Sequence, residues 1–152
     1  MTEFIGKKIL LRAEFNAPDL PTGPTRPGIL VVVRDPGVLS LMELVLRRRG
    51  FVVRRASNPK EALAECRAAR GALDLLLADV DLPGMDVAEM MIRLRLLKPG
   101  LRFCFITGEG PTRARPDLTT LGATWVFPKP FPVDEVVEIL WQLAGDERRQ
   151  KA

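Results

Sequence analysis

Asp74-Leu75-Leu76-Leu77-Ala78-Asp79-Val80-Asp81-Leu82-Pro83-Gly84 is the stretch on which the reading of this chain turns. A short apolar run without alternation fits a strand covered on both faces. The run stops at Asp79, and Asp81-Leu82-Pro83-Gly84 reads as a turn. A carboxylate therefore stands at the carboxyl end of a buried strand.

Reading toward the C-terminus, Val87, Met90, Met91 and Leu94 recur at helical spacing. Leu101 to Ile106 (LRFCFI) reads as the next strand. Between Gly108 and Gly122 the helical signal is poor, because Gly110, Pro111 and Pro116 interrupt it, and only a short helix near Asp117 to Leu121 fits. Thr124 to Phe127 reads as a further strand, and Val133, Val136, Val137, Leu140 and Trp141 mark a last amphipathic helix.

Reading toward the N-terminus, Asn58, Pro59 and Glu61 open a helix that ends near Gly71, with Asn58 as its N-cap. Phe51 to Arg55 precedes it as a strand. Val38, Leu41, Met42, Val45 and Leu46 make one helix face, stopped by Gly50. Ile29 to Val33 (ILVVV) is the first strand, continuously apolar and β-branched. Five strands alternating with helices predict an α/β domain with a five-stranded parallel sheet, doubly wound, with right-handed crossovers. In such sheets the site lies at the carboxyl ends of the strands, near the switch in strand order. That directs attention to Val33 to Asp35, Asp79, Thr107 and Lys129.

The domain is expected over residues 29–144, with residues 1–28 as an extension and 145–152 as a polar tail. In the extension, Lys8 to Phe15 could form a short element. Pro18, Pro21, Pro24 and Pro27 then recur every third residue, the polyproline II period, so a semi-rigid linker is the default reading.

Composition excludes whole classes. With no histidine, zinc hydrolases, Ser-His-Asp catalysis and a phosphohistidine carrier are all ruled out. Cys66 and Cys104 form no C-x-x-C pair and read as two reduced thiols. No apolar run approaches the ~18 residues that span a bilayer, and no signal-peptide pattern opens the chain, so a cytoplasmic protein without a membrane partner is expected. The net charge of +4 raises nucleic acid as a partner, but Arg47, Arg48 and Arg49 suit the end of a helix, where cations complement the dipole. No helix-turn-helix segment is available either, so direct nucleic-acid binding is not expected.

The strand ends carry a resemblance to the receiver domain of two-component response regulators. Asp74 to Asp86 resembles that family's phosphoacceptor segment, Ile106-Thr107-Gly108 its hydroxyl position, and Phe127-Pro128-Lys129-Pro130-Phe131 its lysine-proline motif. The resemblance covers about residues 28 to 144 and implies the flavodoxin-like receiver fold. It also implies Asp79 as phosphoacceptor, Thr107 and Lys129 as stabilisers of the phosphoryl group, a cis Lys129-Pro130 bond, and the Asp81 carbonyl as a metal ligand. The chemistry is reasonable in itself, since a carboxylate can attack a phosphoryl donor when cations and hydroxyls stabilise the transferring group.

The first strand departs from the pattern. The family carries paired acids there to hold magnesium, whereas Ile29-Leu-Val-Val-Val33-Arg34-Asp35-Pro36 puts Val33 and Arg34 at the acid positions. Magnesium is therefore a doubtful cofactor, and Arg34 is expected to take the metal's place by pairing with Asp79. Asp35 could be a residual ligand, but its place before Pro36 suits a helix N-cap better. Val126 stands at the switch position, where the family has Tyr or Phe, and the chain has no tyrosine at all. Trp125 beside it could anchor a partner or simply pack.

Two functions are consistent with these residues. One is a stand-alone, bacterial-type receiver in a phosphorelay, taking a phosphoryl group on Asp79 from a histidine kinase or phosphotransfer protein and signalling to a downstream protein target, with a homodimer possible. The other is a phosphorylation-independent pseudo-receiver acting as an adaptor. A third reading, a haloacid-dehalogenase-type phosphatase, rests on Asp79-Val80-Asp81 alone. Leu82 and Pro83 do not match the residues that succeed that motif in such phosphatases, so no enzyme is expected.

Overall fold

Apolar residues on successive positions of one strand require cover on both faces of a sheet, and the computed structural model supplies it. It describes residues 26–108 and 118–151. The elements run β1 (Gly28–Val32), α1 (Pro36–Arg49), β2 (Val52–Ala56), α2 (Pro59–Ala69), β3 (Leu75–Asp79), α3 (Val87–Leu97), β4 (Arg102–Thr107), β5 (Trp125–Pro128) and α4 (Val133–Lys151). The sheet order is β2-β1-β3-β4-β5, and every neighbouring pair is parallel. The expected doubly wound α/β sheet is the observed one.

Alternation along each strand sorts the core into two layers. Ile29, Val31, Leu75, Leu77, Cys104 and Ile106 pack with α1 and α4 through Leu39, Met42, Leu46, Val136 and Leu140. Leu30, Val32, Leu76, Ala78, Phe103 and Phe105 pack with α2 and α3 through Ala62, Leu63, Met90, Met91 and Leu94. Cys66 belongs to the second layer and Cys104 to the first, so the sheet separates the two free thiols. Burial pushes the Cys104 thiol up to about 12, which makes it inert as a nucleophile.

Helix starts follow local chemistry. Asn58 accepts from the Glu61 amide at 2.9 Å, and the Glu61 carboxylate accepts from Ser57 N at 2.8 Å, satisfying donors at both sides of the cap. Asp86 does the same for Glu89 N at 2.8 Å at the start of α3.

Three expectations need adjustment. The short helix over Asp117 to Leu121 is not formed in the described residues 118–122, which make a turn. Ala123 N donates to Leu118 O and Gly122 N to Thr119 O, with Gly122 at φ 101°; this is the Schellman pattern that ends a helix. Leu118 is buried against the α2/α3 layer, so the chain turns back where that side chain docks. The second adjustment concerns α4, which continues through Gly145 to Lys151 where a polar tail is expected. The third concerns the start of the domain, because Gly28 belongs to β1 rather than to the linker. The Lys8 to Phe15 segment, Pro18, Pro21 and Pro24, and Gly110, Pro111, Pro116 and Asp117 lie outside the described residues.

Gly28 is needed for its missing side chain. Its N–H donates to Asp74 Oδ2 at 2.8 Å, and a Cβ there would run into the backbone carbonyl oxygen of Ala72. Backbone cannot step aside as a flexible side chain can. Gly28→Ala is expected to cost about 2 kcal/mol by overpacking, a fall in Tm of about 7 °C for a domain of this size. Thermal unfolding followed by circular dichroism checks this, and an unchanged Tm would show that the β1–β3 entrance has slack.

Candidate functional site

The sheet order places β1, β3 and β4 side by side, so their carboxyl ends converge. Asp79 ends β3 and is mostly buried, its side chain 13% exposed. Arg34, just past β1, donates its backbone N–H to Asp79 Oδ2 at 3.3 Å. Lys129, just past β5, places Nζ 3.7 Å from Asp79 Oδ1. Each carboxylate oxygen thus faces a different donor, one a main-chain dipole and the other a full charge. Lys129 is held by its own N–H, which donates to Thr107 O at 2.9 Å, and the Lys129-Pro130 bond is cis.

Arg34, Asp35, Pro36, Asp79, Asp81, Ile106, Gly108 and Lys129 line a cleft of about 420 Å³. One of the expected site residues contributes differently from its sequence reading. Charge predicts an ion pair between Arg34 and Asp79, yet the contact is made by the Arg34 amide. Arg34 is an exposed residue, and its guanidinium makes no ion pair with Asp79 among the described residues. The reason is local geometry: the β1–α1 turn brings the main chain of Arg34 to Asp79, and the residue is otherwise exposed. Thr107 ends β4 half-buried, but the cleft is lined by its neighbours Ile106 and Gly108, and the contact of Thr107 to the site runs through its carbonyl.

Asp35 caps α1. Its Oδ1 accepts from Gly37 N at 2.8 Å and Val38 N at 3.1 Å, and Pro36 fills the first helical position. Asp81 is exposed at the cleft margin. Val126 sits half-buried against the α2/α3 core layer beside Leu121 and Ala123, as an ordinary packing residue. Trp125 is 45% exposed, with its ring 6.4 Å from that of Phe127. The Arg34 amide escaped sequence reasoning, and Ile106 and Gly108 entered it only as neighbours of Thr107. Every residue except proline has an amide N–H, so no letter announces which one will point at a carboxylate.

Burial pushes the Asp79 carboxyl above its ordinary value; the Arg34 N–H and the Lys129 charge pull it back, and the charge of Asp81 adds to the rise. An acid whose pKa is raised by folding binds more protons in the folded state between its unfolded and folded values. Stability therefore falls as pH rises through that window, and the ionised carboxylate is a standing cost above it. Asp79→Asn removes the cost while keeping the shape. The variant is expected to melt a few degrees above the parent at pH 7, with the gap closing below the ordinary aspartate pKa. A gap that persists unchanged in acid would show that the effect is not electrostatic.

Fold and site together define a doubly wound α/β module with a mostly buried carboxylate at the carboxyl edge of its sheet. The chain belongs to the response regulator receiver domain family, whose sequence model it matches over residues 29–140. It is 32% identical over 108 residues to sporulation initiation phosphotransferase F of Bacillus subtilis, covering 71% of this chain and 86% of that protein. It is 30% identical over 118 residues to the transcriptional regulatory protein PrrA of Mycobacterium tuberculosis, covering 78% of this chain but only 50% of PrrA. The chain thus spans half the length of that regulator. A receiver domain protein (CheY-like) from Methanospirillum hungatei JF-1 superposes with a TM-score of 0.72 at 23% identity, covering 82% of this chain and 98% of that one, a likeness of fold. Receiver domains are the modules of two-component signalling that interact with histidine kinases or phosphotransfer proteins. No helix among the described residues is long and apolar enough to cross a membrane.

Receiver domains typically bind magnesium, and the residues here do not fit it. A hard divalent cation wants several converging oxygens. Val33 is 2% exposed and packed in the α1/α4 core layer, Arg34 brings a positive charge to the cleft, and the Asp35 oxygen serves the helix cap. Among the described residues no group of three or more carboxylate, thiol or imidazole side chains could hold a metal.

Proposed function

We propose that the domain accepts a phosphoryl group on Asp79 from a histidine kinase or a phosphotransfer protein, and passes the signal on by protein contact, with no catalytic turnover of a small substrate. The observation that carries this reading is the placement of Asp79: mostly buried at the end of the central strand, open to a cleft, with the Lys129 ammonium 3.7 Å from one oxygen and the Arg34 amide 3.3 Å from the other. A desolvated carboxylate is more basic and so a stronger nucleophile once ionised. The lysine and the amide are aimed where negative charge accumulates on the transferring group.

A second reading, a phosphorylation-independent adaptor, is favoured by one observation. Val126 packs half-buried against a core layer where the family places an aromatic switch, so a phosphorylation event has no large ring to move there. In that reading the surface alone carries the signal.

Intact-mass measurement after incubation with acetyl phosphate separates the two. The expected result is a gain of one phosphoryl group, mapped to the peptide that carries Asp79 and absent from Asp79→Asn. Failure of the wild-type protein to gain mass from the small donor and from a phosphorylated histidine donor alike would leave the adaptor reading standing.

A further inference from the structure

A cleft unsuited to a divalent cation can still suit an anion. We propose that the cleft binds the phosphoryl group without any metal, the Arg34 guanidinium and the Lys129 ammonium supplying the two cationic contacts to its oxygens. This rests on Asp79 as the acceptor and deepens that reading by assigning the charge that makes transfer possible.

The charged side chains of the lining are Arg34, Lys129, Asp35, Asp79 and Asp81. The Asp35 carboxylate is engaged by two amides of its own helix, which leaves two cations against two carboxylates, Asp79 and Asp81. A divalent cation entering that set meets a neutral sum and an arginine in the lining. A phosphoryl group meets two cations free to turn toward it. Lys129 is 46% exposed and only 3.7 Å from its resting partner, a loose pair that can be exchanged. Arg34 is an exposed residue, and its guanidinium, among the described residues, holds no carboxylate. Its planar fork of donors suits two oxygens of a tetrahedral anion at once.

The backbone contribution is separate from the side chain. The N–H that Arg34 gives to Asp79 Oδ2 belongs to the main chain and is kept as a donor by any residue but proline, so the amide positions the nucleophile and the guanidinium is left to handle the incoming group. With an acyl phosphate as donor the step balances simply. An Asp79 oxygen lone pair forms the new O–P bond, the P–O bond to the donor's carboxylate breaks, and that carboxylate leaves with the electron pair. Both nucleophile and leaving group are carboxylates, so no proton has to move.

The test uses the full chain stripped with a chelator and incubated with acetyl phosphate, with mass gain followed over time with and without magnesium chloride. It compares wild type, Arg34→Ala, Arg34→Lys and Asp79→Asn, each shown by its melting curve to be folded. Wild type is expected to label at rates within about twofold with or without magnesium. Arg34→Ala, which keeps the amide, should label roughly 10²-fold more slowly in chelator, the usual loss for one preorganised donor to developing charge, and Arg34→Lys should regain part of that loss. Labelling of the wild type only with magnesium, or labelling of Arg34→Ala at the wild-type rate in chelator, overturns the proposal while leaving Asp79 the acceptor. Absence of label on wild type under both conditions overturns the acceptor reading and this proposal with it.

Discussion

Lys129→Ala is expected to slow phosphorylation of Asp79 by roughly 10²–10³-fold while leaving the melting temperature almost unchanged. The two effects differ because the lysine does different amounts in the resting and reacting states. At rest its ammonium lies 3.7 Å from Asp79 Oδ1 with 46% of the side chain exposed, and such solvent-screened pairs contribute under about 1 kcal/mol. During transfer, charge builds on phosphoryl oxygens inside the cleft, beside the mostly buried Asp79, where a positioned cation is worth far more. Lys129→Arg should recover only part of the rate, since a planar fork cannot occupy the place of a compact ammonium whose backbone is fixed by the bond from Lys129 N to Thr107 O. The rate of mass gain from acetyl phosphate reads the first effect and circular dichroism the second. A Lys129→Ala protein that labels within about threefold of wild type would reduce the lysine to a bystander; one that melts far lower would make it a structural residue.

The parts legible in the sequence were those where one physical cause dominates. Ile29 to Val32 and Leu75 to Ala78 are uninterrupted apolar runs because helices cover both faces of β1 and β3, and a strand covered in this way buries four consecutive residues completely. Asn58, Asp35 and Asp86 announce helix starts because a short polar side chain before a helix has one good use, to satisfy orphan amides. Asp79 and Lys129 stand out because each charge sits at or just past the end of a strand. Illegible were features in which two causes compete. Gly145 reads as a helix stop, yet α4 continues through it, since the preceding turns of the helix are anchored by Val136, Val137, Leu140 and Ala144. The segment before Gly122 has enough helical character to make a Schellman ending, but the described residues hold one turn only.

Position 34 shows the same limit at the site. The sequence places a cation where the family pattern has an acid, and charge alone argues for a pair with Asp79. The structure divides the residue: the main chain donates to the carboxylate, while the side chain makes no ion pair with it among the described residues. Side-chain charge can be read from a letter; which part of a residue a turn directs inward cannot. Val126 is the complementary case, since a β-branched residue on a strand packs against a core layer with or without a signalling role. That packing accounts for Val126 fully without invoking a switch.

Arg34→Asp is expected to make the domain respond to magnesium, which the wild type should ignore. With the Asp35 carboxylate engaged by its own helix, Arg34 and Lys129 balance Asp79 and Asp81 in the lining, two against two. The substitution leaves two negative charges, one cation against three carboxylates. The introduced carboxylate would then join Asp79 and Asp81 in offering converging hard oxygens of the kind a divalent cation requires. Without metal it repels Asp79 and drives the already raised pKa of that residue further in the same direction. The variant should therefore melt below wild type in chelator and label poorly with acetyl phosphate. Saturating metal reverses both, because ligand at ten times its Kd adds about 1.4 kcal/mol to stability, roughly 5 °C in Tm for a domain of this size. Melting curves of both proteins with chelator and with magnesium chloride decide the matter. An Arg34→Asp protein whose Tm is as indifferent to magnesium as the wild type would show that the side chain at position 34 does not face the acceptor, and that the cationic replacement inferred for this cleft is misplaced.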